Sequence, residues 1–189
     1  MNKKTIILIV VTILIILVSI FFVGGSFGLF KYLKKGDVVN VITINGIKVE
    51  IVSCDNDCLN LKDAYPVSDE EGLTSTPFVF KILNNTSNNI NYSIKIIPDS
   101  EKINECYLDD GTSCPELTTN YIKYAYKKND GTYSEPKLLS DNNNTLTTDM
   151  ILANSNVTSS VIIWIDENSS NEIMNHYFFG KLIIEGSKV

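Results

Sequence analysis

Beyond residue 36 the apolar residues of this chain recur at every second position, set between clusters of Asn, Asp, Gly and Ser, and no stretch keeps a 3.6-residue stripe. Side chains of an extended strand point alternately to its two faces, so this period writes one buried face per segment and predicts a mostly β domain. Val38 to Thr43 and Ile47 to Val52 are two such runs. Asn45-Gly46 between them is the pair that a tight hairpin turn favours, because both residues accept positive φ. Further strands are expected at Pro77 to Leu83, Ile90 to Ile97, Tyr121 to Lys127, Leu146 to Ile151, Val157 to Ile165 and Tyr177 to Ile184. About eight strands that each bury one face must pack as two sheets or close on themselves, which predicts an all-β sandwich of the jelly-roll or Ig-like type. Asn84 to Asn89, Asp130-Gly131 and Asp141 to Asn144 read as connections, since Asn and Asp tolerate left-handed backbone. Ser169 to Asn175 is expected to form one helical turn, with Asn168 or Ser169 as its cap and Glu172 in its first turn.

A different pattern precedes that domain. Thr5 to Val23 carries no charge and approaches the roughly 20 apolar residues that cross a bilayer as a helix. The chain therefore divides into an N-terminal transmembrane segment with basic flanks, residues 1–36, and a β domain, residues 37–189. A cleaved signal peptide is the rival reading, with Val23-Gly24-Gly25 or Ser26-Phe27-Gly28 as cleavage sites, but its apolar region is typically only about 7–15 residues. Lys3 and Lys4 on one side and Lys31, Lys34 and Lys35 on the other leave orientation open by charge alone. The polar, cysteine-bearing remainder suits the outside, so the expected placement is a single-pass cell-membrane protein with its C-terminal domain extracellular, or a secreted one if the segment is cleaved. The lipid bilayer is thus its first partner, through Thr5 to Val23.

Charge narrows the other partners. Five of the 16 lysines and none of the 22 acids lie in the first 36 residues, leaving 11 lysines against 22 acids and a net charge of −11 on the rest. Every basic residue is lysine, so the guanidinium forks that read guanine and clamp phosphate are absent. Nucleic acid is not an expected partner.

The chain has four cysteines: Cys54 and Cys58 in Cys-Asp-Asn-Asp-Cys, and Cys106 and Cys114 around a loop ending in Asp110-Gly111-Thr112-Ser113. An even count outside a reducing cytosol implies disulfides, and two local bridges, Cys54 to Cys58 and Cys106 to Cys114, are favoured over cross-pairing between the loops. Neither pair has the Cys-x2-Cys spacing common in zinc sites, and no cofactor is expected. Asp55, Asn56 and Asp57, or Asp109 and Asp110, offer hard oxygens such as calcium prefers, yet neither continues as an EF-hand loop, and solvated loop carboxylates are the simpler account. Asp166 and Glu167 read as strand-end turn residues. Trp164, flanked by Ile163 and Ile165, is expected to anchor the core between the sheets. Tyr124 and Tyr126 share a strand face with Ile122, opposite Tyr121, leaving one face as a possible adhesive surface. His176 is the chain's one histidine and is expected at the start of the last strand in a structural role.

Two groups of segments resemble a known family. Ile151-Leu152-Ala153-Asn154, then Val161-Ile162-Ile163-Trp164-Ile165-Asp166-Glu167 and Phe179-Gly180-Lys181-Leu182-Ile183-Ile184, form one. Tyr65-Pro66-Val67-Ser68-Asp69-Glu70-Glu71-Gly72, followed by the run from Pro77 to Asn85, forms the other. Together they resemble the camelysin and TasA family of Gram-positive surface proteins. The resemblance implies a jelly-roll domain exported by an N-terminal hydrophobic segment and, in fibre-forming members, assembled into biofilm-matrix filaments. It also carries a metallopeptidase label, which the residues do not support: zinc peptidases commonly hold their metal with several histidines, and a His-Glu-x-x-His helix is missing. The expected function is non-catalytic, a surface or matrix protein acting by protein–protein association and strand exchange. The alternative is a membrane-tethered module that binds a cell-wall polymer or a surface partner through its loops.

Overall fold

The structure, a computed structural model, describes residues 42–44, 47–53 and 59–188. Thr5 to Val23, Cys54 to Cys58 and the Asn45-Gly46 turn lie outside the described residues, and among the described residues no helix is long and apolar enough to cross a membrane.

Eleven strands are present among the described residues. They are β1 (Ile42–Ile44), β2 (Ile47–Ser53), β3 (Asn60–Leu61), β4 (Pro66–Val67), β5 (Phe78–Asn84), β6 (Ile90–Pro98), β7 (Ile122–Lys128), β8 (Lys137–Leu138), β9 (Thr145–Ile151), β10 (Ser155–Asp166) and β11 (Phe178–Lys188). One sheet has the order β1-β2-β5-β10-β7-β8, with β4 added parallel to the end of β10, and the other has the order β3-β11-β6-β9. The domain is an all-β sandwich. From β5 onward, successive long strands alternate between the two sheets: β5, β7 and β10 lie in the first, β6, β9 and β11 in the second.

Of the expected strand Val38 to Thr43 only residues 42 and 43 are described, residues 38–41 lying outside the described residues; the other expected strands coincide with observed ones to within a few residues, and β1 and β2 pair antiparallel with Ile44 opposite Ile47, as a two-residue hairpin connection requires. β3, β4 and β8 are additional. On β5 the inward side chains are Phe78, Phe80 and Ile82, on β6 Ile90, Ile94 and Ile96, and on β10 Val161, Ile163 and Ile165, all buried in one cluster that joins the sheets. Tyrosine hydroxyls enter this interior, that of Tyr92 without a hydrogen-bond partner among the described residues and that of Tyr126 with one. The Tyr126 hydroxyl lies 2.8 Å from Ser159 Oγ, and burial pushes the Tyr92 and Tyr126 hydroxyls above the ordinary tyrosine range.

Three expectations are corrected. Trp164 is buried, with 3 % of its surface exposed, but it clusters with Ile162 and Ala125 on the face of its sheet that points away from the second sheet. The run Val161 to Ile165 is apolar at both parities because β10 is covered on both sides, and the odd positions face the partner sheet. Tyr124 is buried between the sheets and Tyr126 packs against the same core, so their face is interior rather than adhesive, and the opposite face holds buried Ala125. The turn before β11 is a 3-10 turn over Asn171–Ile173 capped by Ser170, whose hydroxyl accepts from the Glu172 N–H, one residue later than expected.

The outer cover over Trp164 is built by α1 (Asp69–Gly72), with Val67, Leu73 and Tyr133 around it. The Ser68 hydroxyl accepts from the Glu71 N–H, and three acidic residues in the first turn suit the positive end of the helix dipole. Gly72 is required by contact: a Cβ there would lie 2.4 Å from the Trp164 ring.

Candidate functional site

The register fixes where the long connections go. Ile122 at the start of β7 is opposite Ile165 near the end of β10, and Gly180 near the start of β11 is opposite Pro98 at the end of β6. Residues 59–77, 99–121 and 167–177 therefore leave from the same end of the sandwich, while residues 85–89 and 152–154 close the other end tightly. Rigid strands presenting long loops at one end are a common setting for binding.

The connection after β6 begins with α2 (Ser100–Asn104), whose cap Asp99 accepts from the Glu101 and Lys102 N–H groups at 3.2 and 3.4 Å. It continues into a loop closed by the Cys106–Cys114 disulfide, with Cα atoms 5.4 Å apart. That pairing is the local one expected from the spacing, and it rules out cross-pairing of these two cysteines with Cys54 and Cys58. Inside the loop Tyr107 bridges Ser113, Leu108 N–H donates to Thr112 O at 2.8 Å, and Gly111 takes the φ of 82° that the turn needs. The Asp110 carboxylate accepts from the Thr112 hydroxyl and N–H at 2.6 and 2.9 Å, which holds its pKa below the usual carboxylate value. Closing so short a loop contributes about 2–3 kcal/mol in the chain-entropy view.

This braced loop is stitched to the segment entering β11. Leu117 N–H donates to Tyr177 O and Tyr177 N–H to Pro115 O, both at 2.8 Å. The Tyr177 hydroxyl donates to Asp63 Oδ1 at 3.1 Å, and that bond, with burial and the nearby Asp109 charge, raises its pKa. Asp63 holds a left-handed backbone with φ of 50°. Between these parts lies an open depression of about 520 Å³ lined by Asp63, Tyr107, Asp109 and Tyr177, among others. A second depression of about 460 Å³ adjoins it across Tyr107 and Tyr177 and is lined by Lys62, Lys102, Glu105 and Phe179.

Asp166 ends β10 and turns the chain, accepting from Asn168 N–H at 3.4 Å and Nδ2 at 3.2 Å, and Glu167 beside it is exposed. His176 sits in the turn before β11, its Nδ1 3.3 Å from Met174 O. Among the described residues no group of His, Cys, Asp and Glu side chains is arranged to hold a metal ion. That Tyr107 and Tyr177 line the same two depressions is not legible in the sequence; the cysteine pair around the first of them was the available local signal.

A charged cluster at the same end ties the outer cover to the sheet. Lys123 Nζ lies 2.9 Å from Asp69 of α1 and 3.1 Å from Asp166 of β10. The Asp69 hydrogen bond, followed by Asp166, outweighs burial and raises the Lys123 pKa. Burial pushes the Asp166 carboxyl up, but the bonds from Lys123 and Asn168 together outweigh it and leave its pKa lowered. The lowered carboxyl stabilises the fold above its unfolded pKa of about 3.9, and this is lost as pH falls through the lower folded value. The raised ammonium stabilises below about pH 10.4, and this is lost as pH rises through its folded value. Lys123→Met is expected to cost about 1–2 kcal/mol at pH 7. In urea unfolding the gap from wild type should shrink at pH values near 2, and an equal gap at both pH values would refute the ion-pair account.

The fold and this loop end define a class, an all-β sandwich with a disulfide-braced loop surface. Comparison of the chain with family models, with curated proteins and with solved structures finds no match.

Proposed function

We propose that this is a non-catalytic, membrane-delivered extracellular surface protein that associates with other protein molecules through the free edge of β1. The supporting observation is the position of β1 as the outer strand of its sheet, bonded among the described residues to β2 alone. In a two-residue hairpin the flanking pair, Ile44 and Ile47, exchanges both hydrogen bonds, as does the pair Ile42 and Val49. The N–H and C=O of Thr43 between them point outward, and the Ile-Thr-Ile edge carries neither charge nor proline to deter pairing. Thr5 to Val23 supports delivery by the membrane, and the resemblance to camelysin and TasA supports a surface or matrix role. The alternation of strands between sheets supports the jelly-roll type of sandwich.

Thr43→Pro tests the edge selectively. It removes an outward N–H that β2 does not use, and proline is tolerated at such edge positions. The detergent-solubilised full-length protein is expected to associate with rising concentration in analytical ultracentrifugation. The Thr43→Pro variant should stay monomeric with an unchanged melting temperature. A wild type that remains monomeric, or a variant that associates equally well, would count against the proposal.

A further inference from the structure

We infer that the groove at the long-loop end, divided by Tyr107 and Tyr177, is a binding site for a hydroxyl-rich ligand, an uncharged or amine-bearing oligosaccharide. The central residue is Tyr107. It is 64 % exposed, although the loop that carries it is held by a disulfide and an internal bridge. A large flat ring presented to water on a preorganised backbone is a stacking surface that loses little freedom on binding.

The groove chemistry selects among ligands that stack. Asp63, Asp109 and Asp110 line one half, so a phosphate or carboxylate there would meet three negative groups. Asp110 is occupied by Thr112, and Asp63 is oriented by the Tyr177 hydroxyl. A carboxylate accepts through two oxygens and can take neighbouring hydroxyls of one sugar ring, or an ammonium group where the sugar bears an amine. The second half adds Lys102, a donor for ring oxygens and hydroxyls along a chain, beside Lys62, whose ammonium lies 5.6 Å from the centre of the Phe179 ring. Both depressions are shallow and lined by polar groups, unlike the enclosed apolar cavities that take lipids or aromatic metabolites. Two adjoining depressions that share Tyr107 and Tyr177 in their linings fit a linear oligomer laid across them better than a single sugar. The site is separate from the β1 edge, so the two proposals stand or fall independently.

The test is calorimetric titration of the full-length protein in detergent with cellohexaose, the hexamer of glucosamine and the hexamer of galacturonic acid. Binding of the first or second, with the third much weaker, is expected. Tyr107→Ala should weaken binding by roughly tenfold or abolish it, while Tyr107→Phe, which keeps the ring face, should retain it. Asp109→Asn should lower affinity for the amine-bearing hexamer more than for the neutral one. Because Tyr107 and Asp109 are exposed, unchanged melting temperatures will show that the variants fold. Absence of binding by both uncharged and amine-bearing hexamers at millimolar concentration, indifference to Tyr107→Ala, or equal binding of the anionic hexamer would overturn the assignment.

Discussion

Replacing Trp164 by alanine is expected to lower the unfolding free energy by about 3–5 kcal/mol, the usual cost of removing a large buried aromatic ring. For a domain of this size that corresponds to a fall of roughly 6–20 °C in melting temperature. The loss arises on the outer face of the sheet, where the ring fills the space between Ile162, Ala125 and the α1 cover. The geometry permits a sharper form of the test. Gly72→Ala alone brings a Cβ to 2.4–2.5 Å from three ring atoms, so ring or helix must shift, at a cost of about 1–3 kcal/mol. In the Trp164→Ala background the same methyl group enters vacated space, and its cost should disappear. A double-mutant cycle read by chemical denaturation would therefore show strong coupling, and simple additivity would mean that α1 does not sit on the ring.

Asn84→Asp is expected to destabilise the domain by about 3–5 kcal/mol at pH 7, as an uncompensated buried charge does. Asn84 is the last residue of β5 and is fully buried, not part of a solvated connection. Its amide nitrogen donates to Asn88 O at 2.8 Å and to Leu152 O at 2.9 Å, and its carbonyl oxygen accepts from Thr86 N–H and Oγ1 at 3.0 and 2.7 Å. One side chain thus fastens two connections at the closed end. The substitution preserves shape but turns a donor into a charged acceptor facing two carbonyl oxygens. Such a carboxyl has its pKa raised in the folded state, so the penalty should grow as pH rises above about 3.9 and be small below it. Urea unfolding at pH 7 and near pH 3 would read the difference. An Asn84→Asp penalty independent of pH would point to lost packing rather than charge.

The main strands were legible because their alternation is regular. Phe78, Phe80 and Ile82, or Ile90, Ile94 and Ile96, declare a buried face without knowledge of what covers it. The two-residue strands β3, β4 and β8 are too short to display a period and exist only because longer neighbours offer them bonds. The face of Trp164 was illegible for another reason. Its strand is apolar at both parities, and the parity that meets the partner sheet depends on a cover contributed by a distant segment. That cover did leave a local trace, since Ser68 followed by Glu71 has the spacing of a helix-capping pair. The Cys106–Cys114 bridge was readable from spacing. The Tyr107–Tyr177 groove was not, because its halves come from connections on either side of β7 and β10, brought together by strand order alone.

The alternation of β5, β6, β7, β9, β10 and β11 between sheets has a kinetic consequence. None of these strands bonds its immediate successor in the series, and β6 finds its central partner only in β11, the last strand of the chain order. Native pairing therefore requires closure of long loops, the regime in which folding is slow. During synthesis β6 can pair with β9, but the second sheet is complete only once Phe178–Lys188 has emerged. The late step is thus the insertion of β11 between β3 and β6, on which the second sheet closes.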